Sequence, residues 1–449
     1  MEMEVVSRES IKPSSPTPPH LSTYPLSLFD NAAAPNSVPL IYFYAPNPKQ
    51  FPDEATRISF LKKSLSQVLS MYYPFAGRFK DPLSLHCNDQ GASLLVTRIK
   101  TTTLSHILRN PTDSLLNPLF PDELQWKDMG LESSLLAVQI NCFSCGGMAV
   151  TVCMSHKIGD ASTLFNFFND WSTLTREYSY TQQPHITIAL PHVGASSLFP
   201  QNHFPLPRQF SFVPHHNMVC RRLVFEGSKI DSLKALCSEK VEKPTRFEVV
   251  VALIYKCGVS ALGLSVRNML LRVAINLRSR IVPPLPEKSL GNLAWSFYAS
   301  SMDKNNDEVE LHEVVTKTRE GLSLFCDKYV RNFGDLKFVS EFLRFGRAVT
   351  NNNNKSCEDG EEKKKDMMFF SGWCRFKAYE ADFGWGNPVW VTTGVCPVKN
   401  SVVLMDTRDG KGIEAVVCML DKDMAMFESH PDLLRYASLE PNRWACSSS

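Results

Sequence analysis

No charge of one sign dominates this 449-residue chain: 48 Lys and Arg face 46 Asp and Glu, a formal net charge of +2. So balanced a composition advertises neither nucleic acid nor an anionic membrane as partner, and it points to a small molecule instead. No stretch approaches the roughly 20 uninterrupted apolar residues of a membrane span. The opening MEMEVVSRESIKPSSPTPPHL carries Glu2 and Glu4 and lacks the apolar run of a secretory leader. A cytosolic protein is the expectation. An even cysteine framework is lacking too. The 13 cysteines are an odd number scattered through strand-like and helix-like segments, among them Cys142, Cys145, Cys153, Cys237, Cys257, Cys374 and Cys418. In a reducing compartment they are expected as buried or free thiols. No internal repeat is strong enough to name.

What is present describes an ordinary folded protein, with 43% hydrophobic and 21% charged residues. The length exceeds what one hydrophobic core usually serves, so two domains are expected. The Pro-rich run at 13–19 cannot be helical and reads as an extended arm laid over a surface. Residues 38–44 (VPLIYFY) form a strand by their β-branched and aromatic content. Asp53 caps a helix whose Ile58, Leu61, Leu65, Val68 and Leu69 recur at helical spacing. Residues 83–87 and 93–98, split by Asn-Asp-Gln-Gly, read as a hairpin. Two further strands, 135–141 and 148–154, are joined across Ser-Cys-Gly-Gly. Residues 178–219 have little periodicity and read as a long crossover between domains. Two helices follow with capping-box starts, Ser228 with Asp231 and Thr245 with Glu248. A strand at 269–276 and helices at 308–328 and 335–349 come next. Residues 351–366 (NNNNKSCEDGEEKKKD) are polar and low in complexity, and read as a solvated surface loop. Strand-like segments at 388–395, 401–406 and 414–419 close the chain before a short helix.

The feature that organises these elements is His-Lys-Ile-Gly-Asp at 156–160, where the strand 148–154 gives way to an amphipathic helix with Leu164, Phe165, Phe168, Trp171 and Leu174 on one face. A strand end is rigid and faces a cleft in layered α/β proteins, which makes His156 the first candidate for proton transfer. Acyl transfer to a hydroxyl needs a base for the hydroxyl proton and donors for the tetrahedral oxyanion, and histidine titrates in the right range for the first role. With a thioester donor the leaving thiolate is already good, so one histidine suffices without a covalent intermediate. A satisfied buried histidine is the bland alternative. Asp160 has two readings: it orients the imidazole, or it caps the helix and binds a distant cation. Cys153 lacks partners at suitable spacing for a nucleophile or for a metal pair with His156, so no metal is expected. The second motif, Asp-Phe-Gly-Trp-Gly at 382–386, reads as a tight aromatic-anchored turn with Asp382 paired to an arginine or to backbone amides.

Taken in order, YYPFAGR at 72–78, His156-x-x-x-Asp160, Asn-Leu-Arg at 276–278, Leu-Gly-Asn at 290–292 and DFGWG make the chain resemble the plant BAHD acyltransferases over nearly its whole length. The IKPSSPTP arm and WCRFKAYEADFGWG resemble the branch that acetylates hydroxyls of alkaloids and other plant alcohols. The resemblance implies an α/β fold of two chloramphenicol-acetyltransferase-like domains, each a mixed sheet with flanking helices. The first would span 1–196, completed by about 379–400, and the second 215–449, with a crossover at 197–214 and a solvent channel at their interface. It implies acetyl-CoA, or another acyl-CoA, as co-substrate rather than a bound cofactor, a small-molecule alcohol as acceptor, and a monomer. His156 would be the general base. Asp382 is grouped with it as catalytic, although its loop is thought to maintain geometry. Asp160 would pair with Arg278, these two together with Gly384, Trp385 and Gly386 would support the site structurally, and Gly291 and Asn292 would lie along the coenzyme channel. The Trp385 N–H or nearby amides are candidate oxyanion donors. Two departures stand out: Asn387 replaces the family's usual Lys or Arg, and the 351–366 loop is unusually polar. No cation is assignable to a malonyl carboxylate, so acetyl is the default. The rival expectations are a transferase of volatile or aromatic esters and a non-catalytic binding protein of the same fold.

Overall fold

In the computed structural model the described residues are 1–46, 53–124, 127, 130, 132–181, 195–201, 217–264, 269–299, 309–330 and 366–439. The strands of the first half are β1 (Met3–Ile11), β2 (Thr23–Pro25), β3 (Ser37–Tyr44), β4 (Arg78–Asp81), β5 (Ser84–His86), β6 (Ala92–Ile99), β7 (Leu136–Phe143) and β8 (Met148–Ser155). Those of the second are β9 (Met218–Phe225), β10 (Met269–Asn276), β11 (Ala294–Tyr298), β12 (Asp366–Gly372), β13 (Trp390–Thr392), β14 (Ser401–Asp406) and β15 (Ile413–Leu420). They assemble into a six-stranded mixed sheet ordered β1-β6-β7-β8-β3-β13, a second ordered β11-β10-β12-β14-β15-β9, and a small β2-β5-β4 sheet.

Strands β3, β7 and β8 are buried at every position, in keeping with their largely apolar and β-branched sequences. Leu40, Tyr42 and Tyr44 of β3 face one core, while Ile41 and Phe43 face another. Flanking helices are α1 (Leu28–Ala32), α2 (Glu54–Met71), α3 (Leu104–Arg109), α4 (Asp113–Leu116), α5 (Ala161–Thr181), α6 (Ala195–Leu198), α7 (Gly227–Ser238), α8 (Arg246–Ala261) and α9 (Leu311–Phe325). Asp53 caps α2, and Thr245 with Glu248 forms the expected box on α8. The second sheet buries one face against α7, α8 and α9. From its other face Val403, Met405, Val416 and Cys418 join the core that contains Tyr42, Phe168 and Trp171. The two sheets therefore share an interior.

Strand β13 comes late in the chain yet closes the first sheet, pairing Trp390, Val391 and Thr392 with Phe43, Tyr42 and Ile41. It is also tied to the second sheet. The Trp390 indole donates to Glu414 of β15 at 2.9 Å. Arg222 of β9 donates to Thr392 Oγ1 at 3.4 Å and to the Thr393 carbonyl at 3.2 Å. Burial lifts Glu414 to about 7, against the Trp390 hydrogen bond and the Arg222 charge.

Three expectations change. Residues 83–87 and 93–98 do not form a hairpin: β5 pairs with β2 and β4, whereas β6 lies between β1 and β7. A two-strand reading of local sequence cannot see that the N-terminal residues supply β6 with a better partner. Ser228 does not cap α7, whose N-cap is Glu226 without a side-chain bond. Cys220 and Cys418, facing one another on β9 and β15, form a disulfide, so Cys418 is no free thiol. The Pro-rich arm is held as expected, by Ser14 N on the Ser66 carbonyl (2.9 Å) and Thr17 on Asp89, but a full strand, β1, precedes it. The helix at 335–349, the loop at 351–365 and most of the 197–214 crossover lie outside the described residues.

Candidate active site

His156 is the first residue past β8, and both faces of its peptide are held. Its N–H donates to the Asn36 carbonyl at 2.8 Å. Its carbonyl accepts from Asn292 Nδ2 at 2.7 Å. The residue keeps partial exposure, while Nδ1 is buried and makes no hydrogen bond among the described residues. Burial pushes the imidazole below the usual histidine range, opposed by its own carbonyl, the Asp160 charge and the Asn292 side chain. A neutral imidazole at neutral pH is the state a base needs.

Asp160 is committed elsewhere. Its oxygens take Arg278 Nη1 at 2.8 Å and Nη2 at 3.1 Å, the Thr163 N–H at 3.0 Å and the Leu293 N–H at 2.9 Å. It thus caps α5 and pairs with a buried arginine at once. Burial would raise its pKa, but the Arg278 charge and these donors outweigh that and hold it below the ordinary value. Arg278 also donates to the carbonyls of Ser289 (2.8 Å) and Gly291 (3.1 Å). The 289–293 segment is thereby bound to the 156–163 turn, and Gly159 bridges to Gly291. The residues His156, Asp160, Arg278, Gly291 and Asn292 are brought together as one site. Gly291 has φ +100°, and a Cβ there would meet the Asp30 carboxylate at 3.2 Å.

The DFGWG loop is placed elsewhere. Asp382 Oδ1 accepts from the N–H groups of Gly384 (2.8 Å) and Gly386 (2.9 Å), the backbone-amide alternative of the sequence reading. Gly384 has φ +104° and lies against Arg176 and Ser179. At 1.5 Å rise per residue, that contact is about 27 Å along α5 from its start beside Asp160. Asp382, grouped with His156 by sequence, is therefore not brought to it, because the loop docks at the opposite end of the same helix. Trp385 stacks on Phe383 (ring centroids 5.5 Å) and packs edge-on to Tyr44, at the end of β3 far from His156. It is thus no oxyanion donor for that histidine. Asn387, the departure from the family pattern, donates to the Tyr379 carbonyl at 2.7 Å.

Sequence reasoning missed Asp30. It is fully buried, closes a capping box with Ser27 on α1, and accepts from the Asn292 N–H at 2.7 Å and Nδ2 at 3.0 Å. Burial raises its pKa, moderated by those donors. The Ser27-x-x-Asp30 spacing could have revealed the box. Nothing local reveals a partner 262 positions away. Lys157, also nearly buried, donates to the Asn31 carbonyl at 2.8 Å.

The chain is matched over residues 1–434 by the family model described as the Transferase family. It is 37% identical to limonoid 1-O-acetyltransferase of Citrus sinensis, with 98% of this chain and 99% of that protein covered. It is 35% identical to stemmadenine O-acetyltransferase of Catharanthus roseus, covering 95% and 96%. Its fold is similar to the crystal structure of vinorine synthase, with a TM-score of 0.82, 32% identity, and 98% and 100% of the two chains covered. The two mixed sheets with a partly exposed histidine between them, and similarity that spans the full length, lead to one conclusion: the chain belongs to the Transferase family, the BAHD acyltransferases, and is an acyl-CoA-dependent acyltransferase.

Proposed function

We propose that this enzyme transfers acetyl from acetyl-CoA to a hydroxyl of a bulky plant natural product, an alkaloid or a comparably sized alcohol, with His156 as general base in a ternary complex. The observation that carries this reading is the contrast between the two titratable residues of the motif. Asp160 has both oxygens occupied by Arg278 and backbone donors, whereas the His156 ring makes no hydrogen bond among the described residues, keeps partial exposure and is biased neutral. The imidazole takes the hydroxyl proton as the oxygen bonds to the thioester carbon. The tetrahedral intermediate then collapses, the C–S bond breaks, and the leaving thiolate recovers the proton from the imidazolium. Relatives named for O-acetylation of a limonoid and of stemmadenine support acetyl as the group and a polycyclic alcohol as the acceptor.

In this reading Gly291 and Asn292 lie along the coenzyme channel, Asp382 with Gly384, Trp385 and Gly386 maintains loop geometry, and Asp160 with Arg278 holds the site. The domain division at 197–214, a cytosolic setting and a monomeric state belong to the same proposal. Among the described residues, no helix is long and apolar enough to cross a membrane.

Purified protein is to be screened against plant alkaloids and terpenoid alcohols with acetyl-CoA, read by mass shift. His156→Ala is expected to lower kcat by about 10²–10⁴-fold while remaining folded. Wild-type kcat/KM is expected to fall in acid with a midpoint below 6.5, the ordinary histidine value. Near-normal turnover in folded His156→Ala overturns the base assignment. Activity only with aromatic acyl-CoAs or small volatile alcohols would replace the substrate assignment.

A further inference from the structure

Neither oxygen of Asp160 touches the His156 ring, so the carboxylate of the motif does not aim the base by a hydrogen bond. The position of the imidazole is instead inherited from its backbone. The N–H side of that backbone is anchored on Asn36, the residue before β3, and the carbonyl side on the Asn292 amide. The amide has only two protons, and both are spent: one on the His156 carbonyl at 2.7 Å, the other on Asp30 Oδ1 at 3.0 Å. Asp30 Oδ1 also takes the Asn292 N–H at 2.7 Å. The Asn292 side chain bears on the imidazole electrostatically as well.

From this geometry we infer that Asp30 is a positioning residue of the transfer reaction, acting through Asn292 to fix the backbone that carries the His156 base. The inference rests on the reading of His156 as that base. The chemistry of the site explains why the residue is an acid. Its two oxygens meet donors on both sides: the Asn292 pair on Oδ1, and Ser27 N–H (2.9 Å) with Ser27 Oγ (2.6 Å) on Oδ2. An asparagine would turn an NH₂ against one of those pairs, leaving buried donors without acceptors. A carboxylate alone of the two satisfies both. The neighbouring Gly291 permits the approach, since a Cβ there would sit 3.2 and 3.4 Å from the same oxygens. The Asp30 carboxylate thus ties Ser27 to Asn292, and through the Asn292 amide to His156.

The test compares Asn292→Ala, Asp30→Asn and the double variant with wild type and His156→Ala, using acetyl-CoA and the acceptor found by screening. Histidine labelled with ¹⁵N in the side chain provides an acceptor-free readout by NMR, the His156 signal being assigned by its loss in His156→Ala. Folded Asn292→Ala is expected to lose about 10- to 100-fold in kcat with KM for the acceptor within threefold, because misplacement of the base by about 1 Å costs that much. Its His156 resonance is expected to shift or broaden while the other histidines stay in place. The double variant is expected to be no slower than Asn292→Ala, since Asp30 acts through it. If Asp30→Asn does not fold, Ser27→Ala, which withdraws one donor from the same carboxylate, takes its place with a smaller loss in kcat. Unchanged kcat and an unmoved His156 signal in folded Asn292→Ala overturn the inference, as does a double variant slower by the product of the single effects. Retained activity in His156→Ala instead overturns the base assignment.

Discussion

Glu414 shows what one buried side chain imposes on this protein. In the unfolded chain it titrates near 4.5, and in the folded protein burial carries it to about 7. The folded state therefore holds the proton more tightly. That contribution to stability is fully present below pH 4.5 and is lost as the pH rises through 7. The gap between the two values corresponds to about 3 kcal/mol. Glu414→Gln keeps a neutral acceptor for Trp390, so its stability relative to wild type should climb between pH 5 and pH 8 by up to that amount. Urea denaturation at both pH values measures it, and an equal difference at the two would show that Glu414 does not titrate in this window. Glu414 was invisible in the sequence because a glutamate next to the end of a strand reads as a solvent-facing residue; its burial comes with β13, whose Trp390 donates to it. Asp30 was hidden for the same reason, as its partner belongs to another part of the chain. His156 was legible, because an apolar strand ending on a histidine before an amphipathic helix is a local pattern.

At the scale of elements, the turns that carry the motifs are set by backbone freedom and close packing. Gly384 combines φ +104° with a Cβ position 2.5 Å from Ser179 Oγ and 3.4 Å from the Arg176 backbone. Gly384→Ala must strain the turn and push the loop off α5, at a cost of about 1–3 kcal/mol. The melting temperature should fall, while kcat per folded molecule stays near wild type because the loop docks far from His156. A large kcat loss in the folded variant with an unchanged melting temperature would show that the loop takes part in the chemistry. Strand existence and type were legible for β3, β7, β8 and β10, whose apolar content is strong and local. Pairing was not, as β5 and β6 demonstrate: adjacent strands were drawn to different sheets by partners about 60 residues away in the case of β2 and more than 80 in that of β1.

For the whole molecule, the joint between the halves is electrostatic at one end and apolar in the middle. Arg278 and Asp160 are 2% and 5% exposed, so Arg278→Leu would leave a carboxylate buried without its cation. Destabilisation of about 3–5 kcal/mol is expected. Chemical denaturation should show it, and Asp160→Asn in the same background should restore part of the loss by removing the orphaned charge. Failure of the second change to restore stability would mean that the backbone hydrogen bonds of Arg278, rather than the ion pair, hold the joint. Two domains were legible in the length of the chain, and two mixed sheets of similar build only through the family resemblance. Their shared core was not, because apolar residues of β14 and β15 that face the first half look no different in sequence from those that face α8.

Strand β13 has a consequence for how the protein is made. Thr393 donates to the Pro39 carbonyl across a separation of 354 residues, and Trp390 to Thr392 cover the open edge of β3. A ribosome must synthesise most of the polypeptide before that edge meets its partner. Until then the nascent chain presents Ile41, Tyr42 and Phe43 with unpaired backbone groups, the kind of surface that invites association with other chains. Chaperone dependence during expression, and aggregation of fragments that end before residue 390, follow from where a three-residue strand happens to be encoded.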